Sequence, residues 1–195
     1  MRSDEALLLA WRAGDRDAGD ELFARHFDPL YRFFSTKVVQ EVEDLVQRTF
    51  LECLESKAPL HEGNFRAYLF GIARHRLIDF FRSRQRETID VEEISIADLG
   101  TTPSQAFARD QNQRLLHQAL LSVPLDHQIA LELSYWEELS GREIAHVLGV
   151  DENTVRSRLS RARTLLRDKL AALTAAPDTD LDSSMYALGR AASAG

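Results

Sequence analysis

The sequence predicts an all-α protein of two small helical domains joined by a flexible acidic linker, with the C-terminal domain a helix-turn-helix. Three observations carry this. Apolar residues recur at helical spacing along most of the 195 residues, with little sustained period-two alternation. Helix breakers punctuate the pattern at Gly14, in the loop 59–63, in the run Gly100-Thr-Thr-Pro103 and at Pro124. Charge, finally, alternates in blocks. Eight Lys/Arg accompany thirteen Asp/Glu over 1–62, and six Arg accompany one Asp over 66–86. The sign reverses over 87–110, with six acids and one Arg, and again over 154–170, with six bases and one Asp. The net charge of −7 argues against a uniformly basic coat. Two basic patches divided by an acidic strip suit two separate nucleic-acid contacts.

Taken in order, residues 4–13 form a short amphipathic helix that stops at Gly14. A helix over 18–34 places Leu22, Phe23, Phe27, Leu30, Tyr31 and Phe34 on one face, and Pro29 is expected to bend or interrupt it. The segment 41–56 sets Val42, Leu45, Val46, Phe50 and Leu54 at helical spacing. Asn64 is a suitable N-cap for a long helix from 65 to about 84. Residues 87–103 read as linker, within which Val91, Ile94 and Ile96 could dock. Helices resume over 104–122 and 125–137, and 141–169 holds two helices around a tight turn. The resulting domains are 1–86 and 104–174. Beyond them the tail 175–195, rich in Ala, Asp, Ser, Thr and Gly, reads as disordered, with Met185, Tyr186 and Leu188 as a docking patch.

Several function classes recede at once. The single cysteine, Cys53, excludes an internal disulfide and any multi-cysteine zinc site. The six histidines (26, 61, 75, 117, 127 and 146) show no His-Glu-x-x-His or related metal spacing, and no glycine-rich phosphate loop occurs. No enzyme activity, metal or cofactor is therefore expected. The N-terminus has acids before a very short apolar run, unlike a secretory leader, and no window reaches the roughly 18–20 apolar residues of a membrane span. These features lead to the expectation of a soluble, cytoplasmic protein without membrane insertion.

The helix-turn-helix is the most explicit motif. Ala145 is small enough for two helices to approach, Gly149 takes the turn, and Val155 seats the second helix on the first. If Val155, Leu159, Ala162 and Leu166 face inward, then Ser157, Ser160, Arg161 and Thr164 lie opposite, with Arg156, Arg163 and Arg167 on a flank. Arginine reads guanine bidentately and serine adapts to several base edges, while flanking arginines suit phosphates. Over 65–84 aromatics interleave with bases, a pattern suited to single-stranded or melting DNA. Phe65, Leu69, Ile72 and Phe80 are expected in the core, leaving Arg66, Tyr68, Arg74, His75, Arg76 and Arg82 for contact. By periodicity 42–50 is only a packed helix, whose outward Asp44, Gln47 and Arg48 either meet a partner helix or are simply solvated.

The order of three blocks resembles a known family. A DLVQRTF helix, a helix beginning FRAYLFGIARHRLIDFFR and a C-terminal EIAHVLGVDENTVRSRLSRAR unit are together similar to bacterial sigma-70 family factors, more narrowly the extracytoplasmic-function (ECF) group. The resemblance covers about 15–170 and implies a promoter-recognition subunit of RNA polymerase. It implies that Asp44, Leu45, Gln47, Arg48 and Phe50 bind the clamp helices of the beta-prime subunit, with the beta flap as a further contact. Residues from the loop 60–64, including Asn64, through about Arg84 would recognise and melt the −10 element and capture a flipped base. Arg156, Ser157 and Arg161, with Ser160, Arg163 and Thr164 beside them, would grip the −35 duplex. The acidic linker would pass near the RNA exit path, and an anti-sigma partner is common in the family. At His75 many relatives carry Asn, and at Ser160 relatives vary. A stand-alone helix-turn-helix regulator is the alternative. It predicts dimerisation on a palindrome and leaves 66–86 unexplained.

Overall fold

A computed structural model of the chain describes residues 2–56, 65–84, 90–100, 103, 110–174 and 180–192. Among these residues the regular structure is helical, in nine helices. Helix α1 (Asp4–Arg12) starts where the Ser3 hydroxyl accepts the Ala6 N–H, and it is followed by Gly14 at φ +101°. Helix α2 (Arg16–Ser35) is capped by Asp15 and runs unbroken through Pro29, against the expected interruption. The internal proline forfeits one hydrogen bond and costs roughly 3 kcal/mol. Burial of Leu22, Leu30, Phe33 and Phe34 along the same helix outweighs that cost. Helices α3 (Val42–Glu55) and α4 (Phe65–Arg84) complete the N-terminal unit. Its core holds Leu7, Leu8, Leu22, Phe34, Val46 and Phe70, with an edge-to-face contact between Phe33 and Phe70.

Helix α4 buries apolar residues on more than one side, among them Phe65, Leu69, Phe70, Ile72, Leu77, Phe80 and Phe81, with its charged residues set between them. One side meets α3, and another meets α7 of the C-terminal unit. That unit comprises α5 (Gln111–Leu121), α6 (Leu125–Tyr135), α7 (Gly141–Leu148) and α8 (Glu152–Leu173). At the start of α7 a capping box forms between Ser140 and Glu143. Gly149 then takes φ +69°, the left-handed residue that ends α7 and makes the turn. Asp151 caps α8 by accepting the Thr154 N–H at 2.8 Å. Ala145 and Val155 are both buried in the same apolar cluster, as the turn pattern requires.

Two readings are sharpened. The segment read as a flexible linker is held down over 90–100, where Val91, Ile94 and Ile96, the residues expected to dock, pack against the core. Ala97 N–H donates to the Leu121 carbonyl at 2.9 Å, Leu125 N–H to Ile94 at 2.9 Å and Asp126 N–H to Val91 at 3.0 Å. Ile96 is fully buried. The tail read as disordered contains helix α9 (Leu181–Ala192), which docks on α5 and α6 with Leu181, Met185 and Leu188 buried. Its closest approach is at Gly189, where a Cβ would lie 2.2 Å from Trp136 Cδ1, so only glycine lets the helix sit this deep. Trp136 Nε1 in turn donates to the Met185 carbonyl at 2.8 Å.

The two units close directly on one another. A single apolar cluster runs from Leu7 in α1 to Val155 in α8.

Candidate nucleic-acid interface

Helix α8 presents the face expected at 100° per residue. Val155, Ala162 and Leu166 are buried, while Arg156, Ser157, Ser160, Arg161 and Thr164 are exposed. Ser157 and Thr164 turn their hydroxyls back to the carbonyls of Thr154 (2.9 Å) and Ser160 (3.3 Å), which leaves oxygen lone pairs facing outward. Arg163 is half-buried. Its Nε donates to the Tyr135 hydroxyl at 2.8 Å and its guanidinium lies 5.5 Å from that ring's centre. Tyr135 itself donates to the Asp182 carboxylate of α9. Burial, with that hydrogen bond second, raises the phenol's pKa and keeps it protonated.

Helix α4 divides its candidates. His75 and Arg82 are exposed, Arg76 pairs with Glu52 at 2.6 Å, and Tyr68 is half-buried. His75, Arg76, Arg82 and Glu52, together with Arg74 and Asp79, line an open cleft of about 390 Å³; Tyr68 does not reach it. Phe65, Leu69, Ile72 and Phe80 lie in the core as expected. Asn64 falls outside the described residues.

Arg74 and Arg66 carry the main departure. Arg74 is buried and makes a bidentate pair with Asp126 of α6, Nε to Oδ1 and Nη2 to Oδ2, both at 2.8 Å. Arg66 reaches the Glu137 carboxylate at 2.9 Å and its carbonyl at 2.8 Å. In this arrangement both bases are committed across the interface between the units and Arg74 is withdrawn from solvent. Arg158, which sequence reasoning passed over, is buried too. It pairs with Asp126 at 3.1 Å and with Glu92 of the linker at 2.5 Å. Three further contacts cross the same interface. Lys37, fully buried, pairs with Glu132, and Arg32 pairs with Glu137. Burial pushes the Lys37 ammonium down and the Glu132 carboxyl up, each opposed by its partner's charge. His117 Nε2 donates to the Thr36 carbonyl at 3.3 Å, and burial lowers its pKa to about 4. The sequence signal for these acids and bases was their place inside otherwise apolar helices, which periodicity cannot tell from a solvated face.

On α3, Gln47 and Arg48 face outward, and Asp44 pairs with Arg48 at 2.7 Å. Leu45 and Phe50 do not. Both lie in the core, and Phe50 stacks edge-on to Trp11. Leu51, not anticipated, is 54% exposed one turn beyond Gln47 on the outward face. Cys53 is a buried core thiol whose pKa rises to about 12 through desolvation. Among the described residues no cluster of candidate metal ligands occurs, and no helix is long and apolar enough to cross a membrane.

The chain resembles known proteins in two blocks. Residues 22–87 match the family described as Sigma-70 region 2, and 113–166 match Sigma-70, region 4. RNA polymerase sigma factor CarQ of Myxococcus xanthus is 31% identical over 170 residues, covering 84% of this chain and 95% of that protein. RNA polymerase sigma factor YlaC of Bacillus subtilis is 30% identical over 161 residues, covering 80% and 93%. ECF RNA polymerase sigma factor SigE of Mycolicibacterium smegmatis is 32% identical over 173 residues, and the match spans 86% of this chain but 64% of that protein's length. Among solved structures, CnrH in complex with the cytosolic domain of CnrY superposes with a TM-score of 0.65 at 24% identity, covering 88% of this chain and 99% of that one. Sigma factor RpoE of Bartonella quintana, in complex with the anti-sigma factor NepR, gives 0.58 at 26% identity, covering 80% and 98%. Both family blocks end before α9 begins.

Proposed function

The chain belongs to the sigma-70 family of RNA polymerase sigma factors, in its extracytoplasmic-function group, and we propose that it holds promoter DNA at two points from two separable units. The exposed Arg-Ser face of α8, set on a helix-turn-helix with the required turn, is the observation that carries the reading. Arg156, Ser157, Ser160, Arg161, Arg163 and Thr164 grip the −35 duplex. Residues 1–86 form the unit that meets core polymerase and the −10 element, and 104–174 the unit that meets the −35 element. His75, Arg76 and Arg82, with Tyr68, Asn64, Arg66 and Arg74, take the −10 strand. Outward Asp44, Gln47, Arg48 and Leu51 meet the clamp helices of the beta-prime subunit, supported from beneath by Leu45 and Phe50. The beta flap meets the C-terminal unit.

Its work is binding, performed where bacterial polymerase acts, in the cytoplasm. Core polymerase makes the phosphodiester bonds, while this subunit chooses the promoter and captures the extruded base, offsetting an unstacking cost of a few kcal/mol. An anti-sigma factor is a reasonable further partner, since the Bartonella quintana relative was solved with one.

Distance requires the two units to part. The −35 and −10 elements lie roughly 25 base pairs apart, about 85 Å of duplex. A compact chain of this length has a radius of gyration of about 16 Å. The closed arrangement therefore cannot serve both elements, and it occupies Arg74 and Arg66 with carboxylates. Core binding is the step that separates the units and releases these bases. A stand-alone regulator would leave the region 2 match and α4 without a role. Reconstitution with core polymerase on a promoter library tests the proposal. Specific initiation is expected, and a chain that neither co-purifies with core nor directs initiation refutes it.

A further inference from the structure

Helix α9 lies outside both family blocks, yet it is wired to the recognition helix. A continuous polar chain runs from Asp182 through the Tyr135 hydroxyl to Nε of Arg163. The phenol donates its proton to the carboxylate and accepts from the guanidinium, so one orientation satisfies both bonds. The ring also lies beneath the guanidinium, at 5.5 Å, and Tyr186 packs edge-on against it at 5.2 Å. Arg163 makes no ion pair with any carboxylate among the described residues. Its charge is thus held in place, not neutralised.

We propose that α9 is a positioning element for promoter binding: Asp182, acting through Tyr135, presents Arg163 to a backbone phosphate of the −35 duplex in an already ordered rotamer. The proposal rests on the reading that Arg163 touches DNA. An arginine side chain otherwise loses several rotatable bonds' freedom on binding, a loss that pre-ordering removes. Nε is committed to the phenol, which leaves the two Nη groups, the pair that a phosphate takes end-on. Gly189 against Trp136 fixes how deeply α9 sits, and so fixes where Asp182 stands relative to Tyr135.

A phosphate contact carries no sequence information, so the full-length chain with a fluorescein-labelled 30-base-pair duplex of arbitrary sequence is a sufficient probe. Asp182→Asn and, separately, Tyr135→Phe are expected to weaken binding about two- to tenfold, with the slope of log Kd against log salt unchanged, because the contact persists but is no longer pre-ordered. Arg163→Ala should lower that slope by about 0.9. In the double variant, Asp182→Asn should add nothing to Arg163→Ala, an outcome that a merely structural role for α9 would not produce. Trp136 emission and the thermal melt report whether α9 stays docked. Unchanged or tighter binding by both single variants overturns the relay, tighter binding meaning that the carboxylate opposes DNA. A loss that persists on the Arg163→Ala background also overturns it. If Arg163→Ala leaves affinity and slope untouched, the underlying DNA contact fails as well, and the two failures are told apart by that arm.

Discussion

Replacing Asp126 by Asn isolates what holds the two units closed. Asp126 accepts three hydrogen bonds, two from Arg74 across the interface at 2.8 Å and one from Arg158 at 3.1 Å. Asparagine keeps the shape but presents an NH₂ group where one carboxylate oxygen stood. At least one guanidinium then faces a donor, and two buried cations share no anion at that point. Removing one partner of a buried pair costs roughly 3–5 kcal/mol. In the open form Arg74 is solvated, whereas the Arg158 bond lies within the C-terminal unit, between α6 and α8, and is lost alike in both forms. The penalty at Arg74 therefore falls on closure and shifts the equilibrium toward the open form by a factor of about one hundred to several thousand.

Solution scattering reads this directly. The parent chain should give a radius of gyration near the compact value of about 16 Å, and the variant a larger one, with unchanged far-UV circular dichroism. Energy transfer between dyes on Arg48→Cys and Lys169→Cys gives a second reading. Cys53 is buried and its thiol pKa is pushed up to about 12, so it stays unlabelled. Superimposable scattering from parent and variant, with helicity intact, would show that this pairing does not hold the units together.

Three further outcomes are expected. Gly149→Ala should lower stability by about 1–2 kcal/mol in urea titration, since φ is +69° there and nothing lies within 4 Å of the added Cβ, making the cost conformational rather than steric. An unchanged midpoint would remove the left-handed cap from the account of the turn. His117, with its folded pKa at about 4, binds no proton between pH 6.5 and 5 while the unfolded chain does, so stability falls as pH falls, by up to about 2 kcal/mol over that window. Its neighbour Lys37 adds to the repulsion, and His117→Gln should flatten the pH dependence of Tm. Arg161→Ala should cost about 1–3 kcal/mol at a cognate −35 site in holoenzyme binding. An equal loss on every sequence reassigns Arg161 to phosphate contact.

Much of the fold was legible because several helices, α1, α2, α7 and α8 among them, carry their own cap and buried apolar stripe. Ala145, Gly149 and Val155 announce the helix-turn-helix from sequence spacing alone, and the Ser140–Glu143 capping box and the Asp151 cap are what the structure adds. The outward face of α8 followed from 100° per residue. What escaped was long-range pairing. Arg74 and Asp126 are 52 positions apart, and Lys37 and Glu132 are 95 apart. A charged residue among apolar neighbours reads as solvated unless its partner is known. Helix α9 escaped for a related reason. Ala, Ser, Asp and Gly dominate its composition, and Gly189 looks like a breaker until Trp136 is seen against it. Leu45 and Phe50 lie in the core, and motif membership does not state which side of a helix is buried.

On the proposed reading, the acids of α6 and the turn after it meet α4 as DNA phosphates would. A carboxylate and a phosphate offer an arginine the same pair of oxygens, so Asp126 opposite Arg74 and Glu137 opposite Arg66 stand where that reading puts backbone phosphates in the open form. Such a closure is specific without being deep. The Coulombic gain of a buried pair is largely cancelled by desolvating both ions, so the intact interface competes only weakly with two solvated surfaces, although deleting one partner is costly. Closure of this kind can be undone by a partner that binds each unit separately, because that partner has only the apolar contact of α4 with α7 and a near-balanced set of charges to overcome. Replacing Asp126 and Arg74 together with a well-packed apolar pair should accordingly do the opposite of Asp126→Asn, holding the units shut and slowing association with core polymerase.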